Sequence, residues 1–274
     1  MIVDNNAFDA TRSQGMLSLQ QGALTALRGT PYSLSLCLLE GTAQARLNEF
    51  ARFIDYHHPE GVLLTPPLSD LDELAGLCRE RAIPYSRIGH APDPADRNYL
   101  RCDDRGAARE AVDRLVALGH RRIALIAGPE EDPAMRQREL GYLEGMARHG
   151  LDRGPLLVAA GDGSSTSGRA SAALLIELSP APTAIIASSE RMAAGAFHTL
   201  QAAALRVPDD ISLIGFGDGS IAATGIPQLA AMHVPYAEMA AAAIRRLVDP
   251  RARAGPSSPF VARLIPGGTL AAAP

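Results

Sequence analysis

Leu115-Val116-Ala117-Leu118-Gly119-His120-Arg121-Arg122-Ile123-Ala124-Leu125-Ile126-Ala127-Gly128 reads as the end of an amphipathic helix, a glycine stop and a short apolar strand. The spacing predicts that the helix starts at Asp103-Asp104, whose carboxylates suit an N-cap, and buries Ala108, Val112, Leu115 and Val116. The strand Ile123–Ala127 carries no polar residue, as a strand covered on both faces requires. Helix, tight turn and fully apolar strand in direct succession belong to a parallel sheet sandwiched between helices.

The same alternation extends in both directions. Upstream, Met1 to Val3 reads as a strand and about Ser13 to Arg28 as a helix. Leu34, Leu36 and Leu38 alternate with Ser33, Ser35 and Cys37 in a strand, and Ala43 to Tyr56 is a second helix. Gly61-Val62-Leu63-Leu64 is a strand, a helix runs from Ser69 or Asp70 through Arg81, and Ile83-Pro84 opens another strand. The Pro- and Asp-rich segment Gly89 to Cys102 breaks the rhythm and marks a first crossing between lobes. Downstream, helices and strands alternate again through Ile211–Phe216, with Gly225–Pro235 and Arg251–Pro259 as further crossings. The expected architecture is α/β and two-lobed, each lobe a parallel sheet flanked by helices. Residues 1–102 with 232–254 form one lobe and 103–231 with 255–274 the other. Open parallel sheets bind ligands at the carboxyl ends of their strands, so a small-molecule binder with a cleft between the lobes is expected.

Composition excludes several classes. The 274 residues carry a formal net charge of −4, which offers no general attraction to nucleic acid or anionic lipid. Cys37, Cys78 and Cys102 are widely spaced without a CxxC or Cys/His cluster, so neither a disulfide framework nor a metal site is expected. No apolar run reaches the length of a membrane span, and MIVDNNAFDATR does not read as a secretory signal, which makes a cytoplasmic protein the expectation. No catalytic constellation is found. Gly215-Phe216-Gly217-Asp218-Gly219-Ser220 is only a partial GxGxxG, placed late in the chain, and no nucleophile elbow, Walker A or HExxH is present. No cofactor is expected.

Several runs together resemble the sensor domain of LacI-type transcriptional regulators, a relative of periplasmic sugar-binding proteins. They are Gly61-Val62-Leu63-Leu64, Asp103 to Ala124, Arg138 with Gly141-Tyr142, Pro182 to Ala187, Met192-Ala193-Ala194-Gly195 and Arg206 to Phe216. The resemblance implies a two-lobed periplasmic-binding-protein-like fold, a small effector, a sugar or sugar derivative, held between the lobes, and a homodimer. It also implies operator DNA contacted only through an N-terminal helix-turn-helix that this chain does not include. A solute-binding protein of a transporter shares the fold and is the alternative, and a degenerate sensor that only dimerises is a third reading.

The resemblance also designates site residues. Arg138 stands where the family holds ligand hydroxyls or carboxylates, a task suited to a guanidinium fork, with a solvated helix charge as the plain alternative. In the Gly215-Phe216 motif the acid that usually follows is Gly217. Asp218 then either faces the cleft or caps the next segment, and Phe216 is grouped with it. Ser189-Glu190 replaces an Asn-Asp pair, so Ser189 is a candidate contact and Glu190 either a contact or a helix N-terminal carboxylate. Gly163 and Gly89-His90 stand where an aromatic and an acid are common, from which a roomier, less polar pocket is expected. On the first lobe the loops after the strands offer Asp4, Asn5, Phe8, Glu40 and Thr65. Asn5 also reads as a turn residue and Phe8 as a core aromatic. Ser164 to Ser167 could present hydroxyls and N–H groups to an anion or form a surface loop.

Overall fold

The computed structural model describes residues 1–4, 14–90, 96–217, 227–249, 251 and 258–274. The chain divides into two compact units, Met1–Cys102 with Pro235–Phe260, and Asp103–Val234 with Val261–Pro274.

In unit 1 a five-stranded sheet has the order β2 (Cys37–Leu39), β1 (Ile2–Asp4), β3 (Val62–Leu64), β4 (Tyr85–Ile88), β5 (Tyr99–Leu100). Every pairing is parallel, so all five carboxyl ends lie along one edge. Helices α2 (Ala43–His57) and α3 (Asp72–Glu80) cover one face through Phe50, Ile54, Leu74 and Cys78, which pack on Cys37, Leu39, Val62 and Leu64. Helix α1 (Gln14–Leu27) packs on α8 (Tyr236–Val248), and α8 lies against β3, β4 and β5. The Leu-rich alternation before β2 is resolved differently from its expectation. Only Cys37–Leu39 is strand, Cys37 and Leu39 point inward, and Leu36 and Leu38 remain 39% and 38% exposed. A one-residue change of strand phase exchanges the two faces, so leucine count was a poor guide where cysteine is the inward residue.

Unit 2 is a six-stranded sheet in the order β11 (Arg263–Ile265), β10 (Ala230–His233), β9 (Ser212–Gly217), β8 (Ala184–Ala187), β6 (Ile123–Ala127), β7 (Val158–Ala160). All pairs are parallel except β10 with β11. The stretch that decided the fold behaves as its pattern predicts. The Asp103 carboxylate accepts from the Gly106 N–H at 2.8 Å to cap α4 (Asp104–Ala117), Gly119 turns at φ +94°, and all five residues of β6 are buried. Val116 is only half-buried. Helices α6 (Ser165–Ile176) and α7 (Glu190–Ala202) cover the face lined by Ala124, Ile126, Ile185, Ala187 and Leu213. Strand alternation sends Leu125, Ile186, Ile214 and Phe216 to the opposite face, where α4 and α5 (Pro133–Arg148) pack tightly on each other.

Two strands were not anticipated. β5 lies inside the segment that sequence assigned to a break, and β10 lies inside the crossing expected over Gly225–Pro235. Because β10 pairs with β9 on one side and β11 on the other, it stays whole within unit 2, and the division falls after Val234 rather than at 231. The other return falls after Phe260 rather than at 254, since Phe260 donates its N–H to the Arg101 carbonyl at 2.7 Å in unit 1.

Candidate functional site

The carboxyl edge of the unit 2 sheet collects polar side chains that no core needs. Helix α5 begins with Pro133 after Asp132, whose carboxylate accepts from the Met135 N–H at 3.0 Å. One turn and a half later comes Arg138, and Gly141 lets α5 lie against α4 so closely that a Cβ there would run into the Arg105 carbonyl. That close approach brings Arg138 to Asp104 in the first turn of α4. Arg138 Nε and Nη2 both reach Asp104 Oδ1, at 2.7 and 2.6 Å, and Nη1 donates to the Ser188 carbonyl at 2.7 Å. Its guanidinium also stacks 4.8 Å from the centre of the Phe216 ring. Arg138 and Asp104 are 4% and 2% exposed, so the plain reading of Arg138 as a solvated helix charge does not hold.

Ser188, at the end of β8, is fully buried, and its hydroxyl has no hydrogen-bond partner among the described residues. Ser189 caps α7, its Oγ accepting from the Met192 N–H at 3.1 Å, with a long 3.5 Å bond to the Gly163 carbonyl. Ser164 likewise caps α6, accepting from the Ser167 N–H at 3.0 Å. Beside it Asp162 accepts from the Ser164 N–H at 2.8 Å, and hydrogen bonds from Ser164 and Ser167 pull its carboxyl down to about 2. An anion brought to these serines would meet a carboxylate, which removes the anion reading for this loop.

The sequence left Glu190 open between a ligand contact and a helix N-terminal carboxylate. Glu190 opens α7, is 5% exposed, and its carboxyl lies directly over Gly217. The space that a side chain at 217 would take is therefore filled, by a polar group from a different element. The signal was present only as a pair of departures, a longer acid at 190 and a glycine at 217.

On unit 1, Asp4 ends β1 and Thr65 follows β3, whose Leu64 pairs with Ile2, so both stand on the carboxyl edge of that sheet. Thr65 is fully buried and its carbonyl accepts from the Ser69 N–H at 2.9 Å, while Glu40 is exposed. Asn5, Phe8 and Asp218 lie outside the described residues, as does the side chain of Asp4. Among the described residues there is no group of three His, Cys, Asp or Glu able to hold a metal, and no helix is long and apolar enough to cross a membrane.

A mostly parallel α/β unit with a buried Arg–Asp pair, and with a Ser188 hydroxyl that has no partner among the described residues, at the carboxyl ends of its strands has the arrangement in which open parallel sheets hold small molecules. Comparison with known proteins gives the family. The profile of the periplasmic binding protein-like domain matches residues 112–270. The HTH-type transcriptional regulator CelR of Thermobifida fusca is 34% identical over 194 residues, 70% of this chain and 57% of that protein. A solved transcriptional regulator CelR–cellobiose complex is 28% identical with a TM-score of 0.81, covering 98% of this chain and 83% of that one. The Escherichia coli transcriptional repressor ascG, at 24% identity, shares the fold with a TM-score of 0.82 over 99% of this chain and 98% of its own. The chain therefore belongs to the periplasmic binding protein-like family, in the form carried by LacI-type transcriptional regulators. It spans about half the length of the curated relatives it matches, 57%, 56% and 43% of the first three.

Proposed function

We propose that this chain is the effector-sensing core of a LacI-type transcriptional regulator, and that its effector is a sugar or sugar derivative. The observation that carries the reading is the Arg138 guanidinium, fixed by Asp104, Ser188 and Phe216 at the carboxyl edge of the unit 2 sheet. A guanidinium so held is a preorganised donor for hydroxyl oxygens and meets a ligand with little loss of side-chain freedom. Phe216, a buried candidate contact, carries that guanidinium on its ring and so fixes its direction. Ser189, Asp218, Asp4, Asn5, Phe8 and Thr65 are the further candidate contacts. The regulator reading is favoured over a solute-binding protein of a transporter because the matching relatives are named as transcriptional regulators. In this reading the protein is cytoplasmic, effector binding shifts the balance between two conformations, and a dimer carries that shift to DNA-binding heads outside this chain.

The dimer reading has a feature of unit 1 in its favour. Strand β2 is the outer strand of its sheet and exposes Leu38, with Leu36 and Tyr56 exposed nearby around a groove that both line. An uncovered apolar edge strand invites pairing, and a two-fold axis lets one such edge meet its own copy.

The test is a thermal-shift panel of cellobiose, ribose, gluconate, glucose 6-phosphate and cytidine, run on the wild type and on Arg138→Lys. Lysine keeps a cation beside buried Asp104, whereas alanine would strand that carboxylate at a cost of about 3–5 kcal/mol and confuse binding with folding. At least one compound should raise Tm in a concentration-dependent way, and the lysine variant should bind it about tenfold more weakly, the ~1.4 kcal/mol of one charge-assisted bond. A panel that leaves the wild type unshifted removes the sugar-sensor reading, and equal binding by both proteins removes Arg138 from the site.

A further inference from the structure

Strand β9 ends Gly215-Phe216-Gly217, and its two faces do different things. Phe216 points to the α4/α5 side and carries the Arg138 guanidinium, whereas both glycines face α7. Neither glycine has a positive φ, so the backbone does not require them. The neighbour does. A Cβ at Gly215 would lie 3.1 Å from Ala193 Cβ and 3.3 Å from Glu190 Cα, and one at Gly217 would lie 2.7 Å from Glu190 Cδ and 2.8 Å from its Oε1. Glu190 is buried, so its carboxyl has little freedom to move aside. The first turn of α7 thus lies against the strand, and the carboxyl of Glu190 stands where a strand side chain at 217 would stand.

We propose that Glu190 is a specificity-determining ligand residue whose carboxyl replaces the missing side chain at Gly217 and accepts hydroxyl groups of the effector. This rests on the effector-sensing reading of the same site. A carboxylate at the start of α7 is an acceptor only. Across the end of the strand stand donors of the opposite kind, the Arg138 guanidinium and the Ser188 hydroxyl that has no partner among the described residues. Continuing the β8–β9 register, in which Ile186 pairs with Ile214, sets Ser188 opposite Phe216 and so beside that guanidinium. A neutral polyhydroxyl compound satisfies acceptor and donors together. A sugar acid or sugar phosphate presenting its anion to Glu190 would meet like charge in a buried place.

Four proteins test this: wild type, Glu190→Ala, Gly217→Asp and the double variant, each melted alone and titrated with cellobiose, ribose, gluconate and glucose 6-phosphate. Gly217→Asp should lower Tm by roughly 5 °C in the presence of Glu190, and most of that loss should vanish in the double variant. A drop of the same size with alanine at 190 would overturn the exchange of positions. Glu190→Ala should weaken a neutral sugar at least tenfold while Gly217→Asp in the double variant restores it, and the two anionic sugars should not lose affinity. Undiminished binding of the neutral sugar by Glu190→Ala would remove Glu190 from the site while leaving the sensor reading intact. A wild type that binds none of the four sugars would instead end the sensor reading and the ligand role together, with the melting comparison alone still deciding whether 190 and 217 share one space.

Discussion

At the scale of single residues the buried histidine of the organising stretch has a measurable consequence. His120 is fully buried beneath the C-terminal tail, with Nε2 3.2 Å from the Ala271 carbonyl and Nδ1 2.9 Å from the Thr183 hydroxyl. A carbonyl can only accept, so Nε2 carries the proton and neutral Nδ1 accepts from Thr183. Burial pushes the imidazole pKa below its usual 6.5, against a smaller opposing push from the Ala271 carbonyl. The folded chain therefore refuses a proton that the unfolded chain takes up. His120 contributes fully above about pH 6.5, and that contribution falls as the pH drops toward the lowered folded value. The urea midpoint should fall between pH 7.5 and 5.5, and His120→Gln should flatten that slope; an unchanged slope would take His120 out of the account. None of this was legible in a lone histidine between a glycine and two arginines. Arg138 was singled out by its place three residues before Gly141-Tyr142, but its burial against Asp104 was not legible, because that partner comes from a different helix. The place of Glu190 was not legible either, because its role depends on which residue is absent at 217.

At the scale of elements the decisive contacts are close approaches between helices. Gly141→Ala should cost about 1–3 kcal/mol in urea denaturation, because the Arg105 backbone it would strike cannot rotate away. Gly76→Ala, inside α3, is the opposite case. Its Cβ would meet nothing nearer than the end of the Arg79 side chain at 3.8 Å, so removing a helix glycine should stabilise by about 0.5–1 kcal/mol. If both substitutions shift the midpoint in the same direction, the packing account of α4 and α5 is wrong. The long helices and β6 were readable from sequence because periodicity, caps and an unbroken apolar run agree. β10 was not, since Ala230-Ala231-Met232-His233 is short and lies between Pro227 and Pro235, which read as a break. β2 was placed but its phase was not, because inward Cys37 is smaller and less apolar in pattern than the outward leucines beside it.

At the scale of the whole molecule, the chain should sediment as a dimer at micromolar concentration, and Leu38→Lys should shift it toward monomer without altering its circular dichroism. A charge on an outer strand is a common way to block pairing of edges. A wild type that sediments as a monomer at all concentrations would remove the dimer reading. The segmented units have one more consequence, which concerns synthesis. Unit 1 needs α8, which follows residue 234, and unit 2 needs the tail in which Thr269 donates to the Leu213 carbonyl at 2.7 Å and accepts from the Ala230 N–H at 2.8 Å. A nascent chain emerging amino end first therefore cannot complete one unit before beginning the other. Synthesis stopped between residues 104 and 235 releases a five-stranded unit 1 sheet without α8 beside a partial unit 2, whereas synthesis stopped between 261 and 268 releases a whole unit 1 beside a unit 2 that lacks the Thr269 clamp.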